Sequence, residues 1–234
     1  MTSHSLPNLV PAPPRGQSAH DAVQSLDGLR SIPGIHQFSA VTAFDRYPTL
    51  FTALAGRIRP RRLLSFGCST GEECATARTY WPNAEVVGVD VNEESLAAAR
   101  CRVPGVRFLQ ARLLPDLGRF DLVLALSVLC RHRDTKDQTD ISAIYPFQMF
   151  AEAVGRLVAA VASRGVLVVV NANYRFEDTT HATDFRPLVD ETFTDEVHHA
   201  RVRRFGPDGH LLREQSGPAA FVRTAPTLLE SSVP

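Results

Sequence analysis

Residues 63–73, Leu-Leu-Ser-Phe-Gly-Cys-Ser-Thr-Gly-Glu-Glu, decide how this chain folds. Leu63 to Phe66 reads as a short buried strand. Gly67 to Gly71 is a turn of small residues. Glu72 then opens a helix that extends to Tyr80 and is stopped by Trp81-Pro82-Asn83. Strand, turn and helix in quick succession form the unit from which parallel α/β sheets are built. Two chemistries use such a turn. In G-x-S-x-G it is a strained elbow that presents a nucleophilic serine. In a glycine-rich form it lets a cofactor approach bare backbone.

The pattern outside this unit repeats it. Glu85 to Asp90 (EVVGVD) is a β-branched strand that ends on an acid, and Glu93 to Arg102 is strongly helical. Asn92 is the expected N-cap of that helix, with Pro104-Gly105 as its stop. Val106–Gln110 and Phe120–Leu126 read as a third and a fourth strand. Phe147 to Ala162 has helical periodicity, with Gly165 placed to end it, and Val166–Val170 is a fifth strand. Near-continuous apolar strands alternating with helices predict a parallel sheet covered on both faces. His198–Phe205 and His210–Val222, either side of Gly206-Pro207-Asp208-Gly209, predict an antiparallel hairpin at the end of the chain.

The serine-nucleophile reading of the turn is poorly supported. The stretch before Leu63 holds no convincing strand and no HGGG-type segment for an oxyanion hole. A dinucleotide fits poorly as well. Counting from Gly67, Ser69 takes the second glycine position of G-x-G-x-x-G and Glu72 the third, so a carboxylate would face a pyrophosphate. A cationic ligand without a phosphate, but with a ribose, suits both turn and acids. Asp90 ends the second strand, about 20 residues beyond the turn, where an acid accepts from ribose hydroxyls. S-adenosylmethionine, a sulfonium with an amino acid at one end and adenosine at the other, has these features.

LLSFGCSTGEE, with VVGVDVNEESLAAAR and RFDLVLALSVL after it, resembles the class I S-adenosylmethionine-dependent methyltransferases over residues 62–171. GCSTGEE is similar to the first motif of the chemotaxis-receptor methyltransferases in particular. The resemblance implies a Rossmann-like, seven-stranded, mostly parallel α/β sheet of order 3-2-1-4-5-7-6. It implies that Gly67, Cys68, Ser69 and Gly71 face the methionine portion of S-adenosyl-L-methionine, with Glu72 near its amino group. Asp90 would take the ribose and Val91 the adenine, with Gln110 and Ala111 in place of the usual adenine-binding acid. Ser127 and Val128 would line the pocket near the methyl group. The receptor methyltransferases' segment after the fourth strand is replaced here by Ser127-Val128-Leu129-Cys130-Arg131-His132, so their glutamate substrate is not carried over.

Candidates for acceptor chemistry lie on the loops after the fourth and fifth strands. They are His132 as a base, and Tyr174 and Arg175 as substrate-orienting groups. Phe38, Phe44, Tyr47 and Tyr145 are candidates for an apolar substrate wall. Asp134, Asp137 and Asp140 match no metal-ligand spacing, so no metal is expected. Formal net charge is zero and the pI is near 7.1, which gives no attraction to nucleic acid. Of the Lys and Arg residues only Lys136 is lysine, a composition bias rather than a phosphate site. Cys68, Cys74, Cys101 and Cys130 lack paired metal spacing and are expected to be reduced thiols in a cytoplasm. No apolar run reaches the ~18 residues of a membrane helix.

Residues 1–20 read as a disordered leader, 21–223 as one domain with an N-terminal helical cap over 21–60, and 224–234 as a loose tail. The expected function is methyl transfer to a small molecule. The alternatives are a cofactor-binding protein without turnover, a protein side-chain methyltransferase or a serine hydrolase. The acceptor atom and the oligomeric state are not legible.

Overall fold

The computed structural model describes residues 34–189, 192–199 and 201–224. The expected leader, the first part of the cap (21–33) and all of the tail after Thr224 lie outside them. Seven strands form one sheet: β1 Arg62–Phe66, β2 Glu85–Asp90, β3 Arg107–Gln110, β4 Phe120–Leu126, β5 Val161–Val170, β6 Phe185–Val189 and β7 Ala220–Arg223. Their order is β3-β2-β1-β4-β5-β7-β6. The first five run parallel, and β7 lies antiparallel between β5 and β6. The helices are α1 Pro48–Ala55, α2 Glu72–Tyr80, α3 Glu93–Arg102, α4 His132–Thr135 and α5 Phe147–Ala160. This is the Rossmann-like α/β fold that the sequence predicts.

Period-two side-chain alternation divides the interior into two layers. Val123 and Ala125 of β4 face a core shared with α5, which includes Phe150, Val154 and Leu157. Leu122, Leu124 and Leu126 face the opposite core, built with Leu50 and Leu54 of α1, Cys74 and Ala77 of α2, and Leu96 of α3. The central strand is therefore apolar on both sides, which is why it reads as a continuous run. The side chain of Asn92 accepts from the backbone N–H of Glu94 and Ser95, the cap that starts α3.

Three boundaries differ from expectation. The antiparallel closure is made by 185–189 and 220–223, not by 198–205 and 210–222. Around the Gly206–Gly209 turn the described residues form isolated bridges alone, Phe205–Leu211 across the turn and His210–Asp140 beside it. His198–Arg204 carries too many charges for a strand, whereas Phe185 and Val189 of β6 are buried. Pro187 is tolerated because β6 is the sheet edge. Second, α5 stops at Ala160 and β5 starts at once. Gly165 sits in a bulged part of β5, where a Cβ would lie 2.9 Å from Val161 Cγ1 and 3.0 Å from the Phe120 carbonyl. Third, among the described residues of the cap only Pro48–Ala55 is helical. Residues 34–46 form an irregular segment, consistent with the weak helix formers Gly34, Ser39, Val41 and Thr42. Pro48 at the first turn fixes where helix begins.

Gly88 marks where β2 is packed most closely. A Cβ there would stand 2.7 Å from Phe108 Cδ1 and 2.9 Å from Cys68 Sγ. Gly88→Ala should cost about 1–3 kcal/mol, read as a lower urea midpoint with an unchanged slope. An unchanged midpoint would show that Phe108 gives way freely.

Candidate active site

The site grows from the turn between β1 and α2. Gly67 and Cys68 donate backbone N–H bonds to the Val89 carbonyl at 2.8 and 3.1 Å, which ties the turn to β2. Asp90, at the end of β2, completes the tie. Its two carboxylate oxygens accept from the Ser69 N–H at 2.8 Å and the Asn92 N–H at 2.9 Å. One carboxylate thus fixes both the glycine turn and the start of α3. Burial raises its pKa, opposed by these N–H groups. A carboxylate offers about four acceptor positions, so it keeps capacity for further donors.

Above this turn lies a cleft of about 940 Å³, counting its solvent-open mouth. Its floor comes from the C-terminal ends of β1, β2 and β4, where open α/β sheets bind ligands. Its roof is the irregular 34–46 segment. That segment is anchored by Ser69 Oγ donating to the Ala40 carbonyl and by the Asp45 N–H donating to Thr76 Oγ1. Arg46 adds an ion pair at 2.7 Å with Asp195, whose side chain is fully buried. Tyr47 reaches from the roof to the ends of the strands. Its hydroxyl lies 2.6 Å from Ser127 Oγ and accepts from Asn171 Nδ2 at 2.9 Å. Burial pushes the phenol up to about 12, so it stays protonated. Ser127 and Asn171 both hold positive φ, 55° and 52°, and such strain gathers at ligand sites.

Gly67, Cys68, Ser69, Asp90, Val91, Ala111, Ser127 and Val128 line the cleft, as does Tyr47. Other expected residues do not. Gly71 (φ 95°) is the N-cap of α2, and a Cβ on it would press on Phe108, Val103 and Ala99 at 3.1–3.2 Å; its role is packing. Glu72 turns outward to Arg102 at 2.9 Å and to Thr70. Gln110 donates to Glu93. Tyr174 is core: it is buried, and its hydroxyl donates to the Tyr145 carbonyl. Arg175 bonds to the Glu214 carbonyl on the far side of that core. His132 is half-buried in α4 and does not reach the cleft wall. Phe38 packs beside Arg131, Phe44 is exposed and Tyr145 is buried. Ser69 donates to a carbonyl rather than to an imidazole, so the elbow geometry is not present.

The carboxylate that does reach the cleft from α2 is Glu73. It accepts from Ser65 Oγ at 2.7 Å. Burial pushes its pKa up to about 7, partly offset by the Ser65 hydroxyl and the Arg46 guanidinium. The sequence carried a signal for it. Ser65 is a polar residue at 0% exposure in an apolar strand, and such a group needs a partner. Among the described residues no cluster of three or more His, Cys, Asp or Glu could hold a metal, and no helix is long and apolar enough to cross a membrane.

Residues 63–145 match the family model of a methyltransferase domain. The sheet order and the motifs agree with that match, and over this stretch the chain is similar to the class I S-adenosylmethionine-dependent methyltransferases. It is 38% identical over 72 residues to a trans-aconitate 2-methyltransferase of Rhodopseudomonas palustris, covering 30% of this chain and 28% of that one. It is 32% identical over 121 residues to a probable S-adenosylmethionine-dependent methyltransferase of Mycobacterium tuberculosis, covering 50% and 42%. The matches thus span less than half the length of these relatives. Among solved structures, the amino pentose methyltransferase CalS10 of Micromonospora echinaspora aligns at 30% identity with a TM-score of 0.38, covering 51% of this chain and 48% of that one.

Glu73 gives the ligand-free protein a particular pH dependence. Its folded pKa of about 7 lies above the ordinary 4.5. The folded state therefore holds the proton more tightly than the unfolded chain. The stability this confers is present below pH 4.5 and is lost as pH rises through 7. Glu73 is only half-buried, so the loss should be about 2 kcal/mol. Glu73→Gln should abolish it, so that variant and wild type diverge between urea titrations at pH 5 and pH 8. A constant difference between them would mean that Glu73 is freely solvated.

Proposed function

We propose that the chain binds S-adenosylmethionine in this cleft and transfers its methyl group to a small molecule. The observation that carries the reading is the Asp90 bracket: a carboxylate, held by two backbone N–H groups, that keeps acceptor capacity for a diol. Asp90 would hold the ribose hydroxyls, and Val91 and Ala111 would flank the adenine. The backbone of Gly67–Ser69 would face the methionine portion. Glu73, rather than Glu72, would meet its ammonium, and ligand binding would then favour the ionised carboxylate. When bound, the cofactor supplies a methyl group already activated on a sulfonium. The chain's own part is to align the acceptor and exclude water, and near-attack alignment alone is worth several kcal/mol. The 34–46 roof supplies the exclusion. Ser127 and Val128, close under Tyr47, would flank the reacting end.

A small acceptor suits a cleft roofed by the chain itself, and trans-aconitate, named for one relative, is a small molecule. Binding without turnover is the second reading. It is favoured by one observation: His132, Tyr174 and Arg175 lie away from the cleft.

Thermal unfolding with S-adenosylhomocysteine tests the proposal. At about 100-fold its Kd the ligand should stabilise the wild type by about 2.7 kcal/mol, a rise of several degrees in Tm. Asp90→Ala should lose that rise. No rise in the wild type at millimolar ligand would overturn the reading. Label transfer from methyl-labelled cofactor to a metabolite panel then separates turnover from binding alone.

A further inference from the structure

Two hydroxyl groups meet where the roof reaches the ends of β4 and β5. Tyr47 Oη lies 2.6 Å from Ser127 Oγ, and Asn171 Nδ2 lies 2.9 Å from the first and 3.2 Å from the second. The three groups close a triangle. Ser127 and Asn171 hold it from neighbouring strand ends, both with left-handed backbone, and the Ser127 N–H donates to the Val170 carbonyl at 2.9 Å. Left-handed backbone is uncommon outside glycine, and more so for serine than for asparagine.

The triangle has a surplus hydrogen. A hydroxyl has one hydrogen and two acceptor positions, and an amide nitrogen only donates. Tyr47 and Ser127 bring one hydroxyl hydrogen each, and their mutual contact uses one of them. Asn171 Nδ2 takes neither. The other hydroxyl hydrogen has no partner among the described residues. A phenol is a stronger donor than an aliphatic alcohol, whose oxygen is the better acceptor, so Tyr47 donates to Ser127. Ser127 Oγ then accepts from both Tyr47 and Asn171. Its two acceptor positions are filled, and the surplus hydrogen is its own.

Exposure points the same way. Tyr47 is 2% exposed, whereas Ser127 is only half-buried and lines the cleft. Two bonds donated into one oxygen strengthen the O–H on it. Phe66, Leu126 and Val128 also line the cleft there, from the ends of β1 and β4. Ser127 thus offers a hydrogen, and no lone pair, beside apolar side chains. A hydroxyl or N–H group of a ligand would find no acceptor in it. A neutral oxygen without a proton suits it, since a charged group costs more to desolvate.

We infer that the Ser127 hydroxyl is a specificity-determining donor that receives a carbonyl oxygen of the methyl-acceptor substrate, an assignment that rests on the methyltransferase reading of the cleft. Tyr47 and Asn171 are positioning residues that fill its lone pairs. Ser127 takes no proton from the substrate, and cofactor binding is left to Asp90 and Glu73.

The test titrates the full chain, loaded with S-adenosylhomocysteine, with shape-matched bicyclic probes followed by saturation-transfer NMR. 1-Indanone only accepts a hydrogen bond, indole only donates one and indene does neither. 1-Indanone should bind roughly fivefold more tightly than the other two. Ser127→Gly, which suits the positive φ, should remove that preference and leave S-adenosylhomocysteine affinity unchanged. Tyr47→Phe should return a lone pair to Ser127, so that indole gains on indene, a change of ranking that lost packing alone would not produce. Level binding of the probes, or none, in a chain that binds S-adenosylhomocysteine overturns the assignment. An amide oxygen of Asn171 in place of its nitrogen would absorb the surplus hydrogen and give that level result. If Ser127→Gly weakens S-adenosylhomocysteine and keeps the 1-indanone preference, the donor serves the carboxylate of the cofactor, and the substrate assignment falls. Failure to bind S-adenosylhomocysteine overturns the methyltransferase reading beneath it. The wild-type ranking decides the matter even if a variant does not fold.

Discussion

The two hydrogen bonds that Asp90 accepts from Ser69 and Asn92 organise the rest of the site. A carboxylate at the end of a buried strand must find donors, and here they are the backbone of the glycine turn and of the residue that caps α3. The bonds hold the first two β-α units at one height, so the ends of β1 and β2 form a common floor. Without them, the Gly67–Gly71 turn would be tied to β2 only through the Val89 carbonyl. Gly67 contributes in another way. A Cβ on it would stand 2.3 Å from Val128 Cγ2, so its bareness lets the segment after β4 close the cleft from the other side.

Ser65 and Glu73 show stability set against function. Ser65 occupies a fully buried strand position that a larger apolar residue would fill. Its hydroxyl instead holds Glu73 at the cleft, where burial favours the protonated carboxyl despite the Arg46 guanidinium. On the proposed reading, a cationic ligand would reverse that preference and add to the partial compensation from Arg46. Destabilised groups of this kind mark functional sites.

Much of the fold was legible because buried parallel strands are apolar on both faces and their helices are capped by recognisable residues. The bounds of β2, α2, α3 and β4 follow directly from Glu85–Asp90, Glu72–Tyr80, Asn92 and Phe120–Leu126. The last two strands were not legible, since β6 is a short edge strand containing arginine and proline, and β7 follows it only after a long excursion. Within the site, Asp90 and the small-residue turn could be read from position. The choice between Glu72 and Glu73 could not, because adjacent helical residues differ by about 100° in direction and only packing fixes the phase. Tyr174 after β5 was ambiguous for a similar reason. An aromatic residue beyond a strand end can face a cleft or a core, and here Tyr145, Phe147 and Phe150 enclose it.

The central claim is that Asp90 recognises a ribose diol, and calorimetric titration of the wild type tests it most directly. S-adenosylhomocysteine and its 2′,3′-dideoxy analogue would be compared at one pH and salt. Two lost hydrogen bonds to a charged acceptor should weaken the analogue by about 2–4 kcal/mol, at least a tenfold rise in Kd. Equal affinities would contradict the account, because Asp90 would then serve the turn and not the ligand.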